Sequence, residues 1–263
     1  MDHEDKKGNI GVFDSGLGGL WILKHIKKFS PEYNYVFYGD QKNVPYGVKS
    51  KEELLGYTKE ALTFLYEKEN CIAVLLACNT TSTAIYPELK DWVKENYPDR
   101  LLFGIAHPTV ESVKHSKSVM VFATHRTVDS HFYQQALEEK NIKTYEFVLL
   151  ELASMIERGE DVSAYLDHHR YIIPEDVDSV ILGCTHYGIV LHVFREIFPQ
   201  ITHWLVQEKI TPPFLKEYID RHPQLENRIS KDGELRIFVS GKNPVFEKYL
   251  KDWYGEGVNI EYI

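Results

Sequence analysis

Cysteine is scarce in this chain: three in 263 residues, at positions 71, 78 and 184. An odd, low number argues against a disulfide framework, and no two of the three form the C-x-x-C pair of a zinc knuckle. Long hydrophobic runs are missing as well. Nothing approaches the roughly 18 apolar residues of a membrane span. Positive charge is in deficit, with 30 Lys and Arg against 39 Asp and Glu and a net charge of −9, which disfavours a broad nucleic-acid surface. No G-x-G-x-x-G run marks a dinucleotide site, and no low-complexity linker separates domains. The charged start, Met1-Asp2-His3-Glu4-Asp5-Lys6-Lys7, has no apolar segment of signal-peptide type behind it, so the expected compartment is the cytoplasm. Ordinary hydrophobic (43%) and charged (26%) contents remain, those of a soluble globular chain with enough apolar material for one large or two small domains.

Against that background two short runs stand out, Leu76-Ala77-Cys78-Asn79-Thr80-Thr81 and Leu182-Gly183-Cys184-Thr185-His186-Tyr187. Each puts a cysteine and a hydroxyl-rich tail at the end of an apolar, strand-like run. In a parallel α/β sheet, the exit from a strand's C-terminal end is where chemistry collects. The two cysteines are 106 residues apart, and a second pair of similar runs, Val12-Phe13-Asp14-Ser15 and Val121-Phe122-Ala123-Thr124, repeats at 109. Two nearly equal offsets of domain size indicate an internal duplication. Two thiols at such exits, facing each other across a cleft, suit the transfer of a proton from one face of a carbon to the other.

Apolar periodicity predicts strands near 10–14, 35–38, 72–77, 101–105, 118–123, 144–149, 179–182, 204–206, 235–239 and 258–262. Helices are expected between them, including 51–68, 81–96 despite Pro87, 109–115, 129–140, 150–158, 161–172, 187–197, 212–221 and 244–253. Strands alternating with helices mean an α/β fold with a mostly parallel sheet flanked by helices in each half.

Several motifs have a bland reading beside the functional one. Gly16-Leu17-Gly18-Gly19 closes a tight turn, or aims amides at an anion as phosphate and carboxylate sites do. Cys71, just before an apolar strand, reads as a structural cysteine. Cys78 and Cys184 differ because helix starts follow them, a location that favours thiolate, and His186 beside Cys184 can take or orient a proton. Thr124 and Thr127 cap a helix near Asp129 or hold a carboxylate. Pro45-Tyr46-Gly47 is a turn or a functional loop. His168-His169 read as surface, since neighbouring residues point apart on a helix.

Asp14-Ser15-Gly16, Pro45-Tyr46-Gly47, Ala77-Cys78-Asn79-Thr80 and Gly183-Cys184-Thr185-His186-Tyr187 together resemble the glutamate racemase family of the aspartate/glutamate racemase superfamily, in order and over nearly the whole chain. The resemblance implies a cofactor-independent, metal-free isomerase interconverting L- and D-glutamate for peptidoglycan and the cell wall. It implies two pseudo-symmetric α/β domains, residues 1–104 plus 208–263 and residues 105–207, with the site between them, in a homodimer. Cys78 and Cys184 would be the two acid/base thiols. Asp14 would assist Cys78, and Glu157 and His186 would assist Cys184. Asp14, Ser15, Pro45, Tyr46, Gly47, Asn79, Thr80, Thr127, Thr185 and His186 would surround and hold the substrate beside the thiols. The partner expected is a small amino acid, with neither nucleic acid nor membrane.

Four places depart from the family pattern: His107-Pro108-Thr109 for Glu-Pro-Gly, Arg126 for a Gly between two threonines, Gly188 for Pro, and Gln207-Glu208 for Asp-Ser. They leave two other readings open: a racemase for aspartate or another small amino acid, since one carbon in a substrate is worth only ~1–3 kcal/mol in a pocket, and a non-catalytic binding or regulatory protein on the same scaffold.

Overall fold

The structure is a computed structural model that describes residues 7–263; the charged stretch Met1–Lys6 lies outside the described residues. Among the described residues, ten strands form two sheets. The first holds β1 (Asn9–Asp14), β2 (Tyr35–Gly39), β3 (Cys71–Leu76), β4 (Leu101–Gly104), β9 (Leu235–Val239) and β10 (Ile260–Tyr262), in the order β10-β9-β2-β1-β3-β4. The second holds β5 (Ser118–Ala123), β6 (Lys143–Val148), β7 (Ser179–Gly183) and β8 (His203–Leu205), in the order β6-β5-β7-β8. Every pairing is parallel. The expected α/β architecture with helices between parallel strands is therefore present.

The second sheet repeats the strand order of β2-β1-β3-β4, so the sequence offsets correspond to a repeated topology. Helices cover both faces, which is why β3 and β7 are buried along their whole length and read as unbroken apolar runs. One contiguous core runs through both sheets: Val12 and Phe37 of the first belong to the same buried cluster as Phe122 and Leu182 of the second. Phe122 stacks on Phe194 with ring centres 5.7 Å apart. A fully buried Phe contributes about 1.5–3 kcal/mol, so these rings help fix the second sheet's helices over it.

Several element boundaries differ from the sequence reading, each for a local reason. The helix expected over 81–96 is two, Asn79–Ala84 and Tyr86–Asn96. Pro87 lacks an amide hydrogen and cannot continue the first, but its fixed φ suits the first turn of the second. The helix expected from 129 begins at His125 and breaks after Asp129, where His131 takes φ 54°, before Phe132–Glu138 resumes. The helix expected from 212 begins earlier, at Gln207. The last five residues of 51–68, Phe64–Lys68, widen into a π-helical turn. Cys71 is fully buried, as expected of a structural cysteine.

Candidate active site

Both sheets change winding direction at their first strand: β1 lies between β2 and β3, and β5 between β6 and β7. Crevices open at such switch points. The exits of β1, β3, β5 and β7 line a single cavity of about 410 Å³, within the range of small-molecule pockets. Cys78 and Cys184 share it with Ser15, Pro45, Tyr46, Gly47, Asn79, Thr80, Thr185, His186 and Glu157. Two of the expected substrate-contacting residues are not on its wall. Asp14 and Thr127 are fully buried behind it, Asp14 at the end of β1 and Thr127 behind Thr124, whose hydroxyl oxygen lies 3.1 Å from its own.

Around Cys78 the groups are small or acidic. The Ser15 hydroxyl is 3.8 Å from the Cys78 sulfur. Asp14 stands behind it, accepting from the Gly16 amide at 2.8 Å and the Thr185 hydroxyl at 3.2 Å. Burial is the largest influence on Asp14 and, with nearby Glu157, raises its carboxyl to about 6 against the pull of His186. Burial, then the Asp14 charge, pushes the Cys78 thiol up to about 12. The sequence reading expected the helix start after Cys78 to favour thiolate. In the folded protein desolvation outweighs that short helix, Asn79–Ala84.

Around Cys184 the arrangement is different. His186 Nδ1 is 3.7 Å from the sulfur and Nε2 is 2.5 Å from Glu157 Oε2. Burial alone would lower His186, but its hydrogen bonds to Cys184 and Glu157 hold it well above 6.5. Glu157 would be raised by burial. Instead it lies below its ordinary value, because His186, Gln41 and the Leu17 amide all bond to its carboxylate. Asn243 adds a further donor at 3.3 Å.

The Gly16-Leu17-Gly18-Gly19 turn therefore does aim an amide at a carboxylate, but the carboxylate is the protein's own. The Leu17 N–H lies 3.0 and 3.3 Å from the two Glu157 oxygens. A Cβ at Gly16 would come within 2.8 Å of both oxygens, so glycine is what lets Glu157 approach.

The remaining wall is set from behind. Tyr46 spends its hydroxyl on Asp40 at 2.5 Å, and Ser240 donates to the same carboxylate at 2.6 Å. Thr80 and Thr124 meet hydroxyl to hydroxyl at 3.1 Å, linking the two halves. Arg126 reaches across as well, its Nε donating to the Lys49 carbonyl at 2.9 Å. Three of the four departures from the family pattern meet in space. Gln207 donates to Thr109 at 3.1 Å, and Gly188 leaves the room that Glu208 fills, since a Cβ there would sit 2.6 Å from a Glu208 oxygen.

Asp40, Gln41, Tyr133 and Asn243 escaped the sequence reading. Asp40 had a signal, because it directly follows β2 at a strand exit, much as Asp14 ends β1; the other three had none.

No protein-family profile matches the chain. It is 34% identical over 268 residues to the glutamate racemase of Thermoanaerobacter pseudethanolicus, spanning 95% of this chain and 94% of that protein. It is 32% identical over 257 residues to the glutamate racemase of Aquifex aeolicus, with 95% of each chain covered. Among solved structures it is similar to glutamate racemase from Francisella tularensis in complex with D-glutamate, with a TM-score of 0.85, 26% identity, and 98% and 97% of the two chains covered. It also shares its fold with the aspartate racemase of Picrophilus torridus, at a TM-score of 0.56, 18% identity, and 83% and 100% of the two chains covered.

Proposed function

Because this chain belongs to the glutamate racemase family, we propose that it interconverts L-glutamate and D-glutamate by proton transfer between the substrate's Cα and the thiols of Cys78 and Cys184. The observation that carries the reading is one cavity with a thiol from each repeated strand exit, each backed by different charged groups. One thiolate removes the α-proton from one face and the opposed thiol delivers a proton to the other. The pair must hold opposite protonation states, and unlike surroundings achieve that.

On this reading Cys184 has a cationic His186 at 3.7 Å to support its thiolate. Cys78, pushed up to about 12, rests as the proton-bearing thiol. Ser15, Asn79, Thr80 and Thr185 hold the substrate through hydroxyls and amides, with Asp14 and Thr127 acting from behind them. On this reading the two thiols serve as base and acid, with no cofactor or metal taking part. The product D-glutamate would serve peptidoglycan synthesis in the cytoplasm, and the working form would be a homodimer. Among the described residues no helix is long and apolar enough to cross a membrane.

The test incubates the purified protein with each glutamate enantiomer, and in parallel with each aspartate enantiomer, without pyridoxal phosphate, metal or nucleotide. Chiral chromatography should show both glutamate samples converging on equal amounts, with deuterium entering Cα in heavy water. Absence of conversion from either enantiomer, or conversion only when pyridoxal phosphate is supplied, overturns the proposal. Faster turnover of aspartate than glutamate replaces the substrate.

A further inference from the structure

Thr109 and Gln207, two of the positions where the chain departs from its family pattern, meet in a closed hydrogen-bond relay with a direction. A backbone carbonyl can only accept, and the Ile105 carbonyl accepts from the Thr109 hydroxyl at 2.9 Å. With its hydrogen committed, Thr109 Oγ1 can only accept from Gln207, whose Nε2 lies 3.1 Å away. The nitrogen of the Gln207 amide is thereby fixed on the Thr109 side and its oxygen on the other. That oxygen accepts from Asn79 Nδ2 at 2.7 Å. Asn79 Oδ1 in turn accepts from Gln207 Nε2 at 2.9 Å and from the Tyr133 hydroxyl at 2.7 Å. All four residues are buried: Thr109 and Tyr133 fully, Asn79 and Gln207 at 2% exposure.

Both lone pairs of Asn79 Oδ1 are filled, while its nitrogen uses one hydrogen on Gln207 and keeps a second. Asn79 follows Cys78 directly and lines the cavity. Turning its amide over would set two donors or two acceptors against each other at Gln207 and would strand buried groups, which is costly.

We infer that Thr109, Gln207 and Tyr133 are positioning residues that lock the Asn79 amide so that its free N–H serves a substrate carboxylate and its oxygen cannot serve the substrate ammonium. This rests on the racemase reading for the identity of the ligand. The relay itself does not.

Three variants and three measurements test it. Thr109→Val keeps the shape and removes the hydroxyl; Thr109→Ser keeps the hydroxyl; Gln207→Glu removes the donor. Exchange of side-chain amide hydrogens, followed by nuclear magnetic resonance on the unliganded protein, should show both Gln207 hydrogens and one Asn79 hydrogen protected, with the other Asn79 hydrogen exchanging fast and slowing when D-glutamate is added. Thr109→Val should erase that inequality and raise the KM and the calorimetric Kd for glutamate about tenfold, with kcat within about threefold. Gln207→Glu should do the same, and Thr109→Ser should restore the wild-type values. Equal exchange of the two Asn79 hydrogens in the wild type overturns the relay. So does an unchanged KM and Kd in folded Thr109→Val, or in folded Gln207→Glu should the first variant not fold. If the wild type neither binds nor racemises glutamate, the activity proposal fails, and the substrate-free exchange pattern alone decides whether the relay stands.

Discussion

Cys78 and Cys184 occupy equivalent strand ends, yet their neighbourhoods are opposite. Cys78 has a hydroxyl 3.8 Å away and a buried carboxyl behind it. Cys184 has an imidazole at 3.7 Å, itself held by a carboxylate that takes donors from both ends of the chain, at Leu17 and Asn243. The repeated scaffold supplies symmetry of place, and the loops supply asymmetry of charge. A site that must begin each turnover with one proton-bearing and one proton-free thiol needs both. On the proposed reading, the imidazole beside Cys184 is the group that would support proton transfer at that thiol. On the resemblance to glutamate racemases, Cys184 would act on the L-enantiomer and Cys78 on the D-enantiomer.

Removing either thiol should have the largest effect. Cys78→Ser and Cys184→Ser are each expected to lower racemisation by about 10³-fold or more, since a hydroxyl is far less acidic than a thiol, while Cys71→Ser keeps most activity. The comparison sharpens in partial reactions. Cys184→Ser should retain more Cα hydrogen exchange with D-glutamate and Cys78→Ser more with L-glutamate. Identical residual exchange of both enantiomers in both variants would break the opposed-thiol assignment; a swapped preference would only exchange the faces.

His186→Asn comes next. Losing the cation beside Cys184 should cost about 10²-fold. The enantiomers are equal in free energy, so kcat/KM must fall equally in both directions, and the asymmetry has to be sought in exchange: the Cys184 half should slow far more. Glu157→Gln should act on the same half more gently, by about tenfold. Glu157 helps hold His186 well above 6.5. Without its charge His186 loses its proton at lower pH, so the alkaline limb of the rate profile should move toward neutrality. An unmoved limb in Glu157→Gln would detach His186 from the chemistry.

How much of this was legible in the sequence depends on range. Strand exits announced themselves, because a continuous apolar run ending in Cys-Asn-Thr or Cys-Thr-His is local. The duplication was legible from two offsets and reappears as a repeated strand order. The bracing was not legible. Asn243 reaches Glu157 across 86 residues and Gln207 reaches Thr109 across 98, and no periodicity links residues whose only relation is the fold. Local chemistry also misled where burial competes with it: the short helix after Cys78 suggested thiolate, and desolvation reverses that. The glycine-rich turn suggested a ligand's anion, and Glu157 sits there.

Asp14 gives a smaller effect, read in stability as well as rate. Its carboxyl titrates near 6 in the folded protein against an ordinary 3.8. The folded state thus holds that proton more tightly, and the stability it contributes is full below about pH 4 and lost as pH rises through 6. Asp14→Asn should therefore be more stable than wild type at pH 7.5, by on the order of 2 kcal/mol, with the difference vanishing near pH 4, while activity drops about tenfold or more. Urea unfolding at three pH values checks it. A variant less stable at pH 7.5 would mean that the bonds from Gly16 and Thr185 outweigh the cost of the buried charge.

Arg126 should matter least, and it tests whether the loop it holds belongs to both thiols or to one. Its Nε–H donates to the Lys49 carbonyl at 2.9 Å, tying the helix His125–Asp129 to the turn that carries Tyr46 and Gly47. Its side chain is about a third exposed and 3.8 Å from the more exposed Asp129, so the tie is worth under about 1 kcal/mol. Arg126→Ala should loosen one wall of the cavity without touching either sulfur. KM is expected to rise two- to threefold, on the order of 0.5 kcal/mol, for L- and D-glutamate alike, with kcat unchanged. Equality of kcat/KM between enantiomers allows no other pattern if chemistry is untouched. A KM that rises for one enantiomer alone must therefore be matched by a rise in that direction's kcat or a fall in the other's. Steady-state constants measured for both enantiomers would reveal it, and such a result would place the Tyr46–Val48 turn in the service of one thiol rather than both.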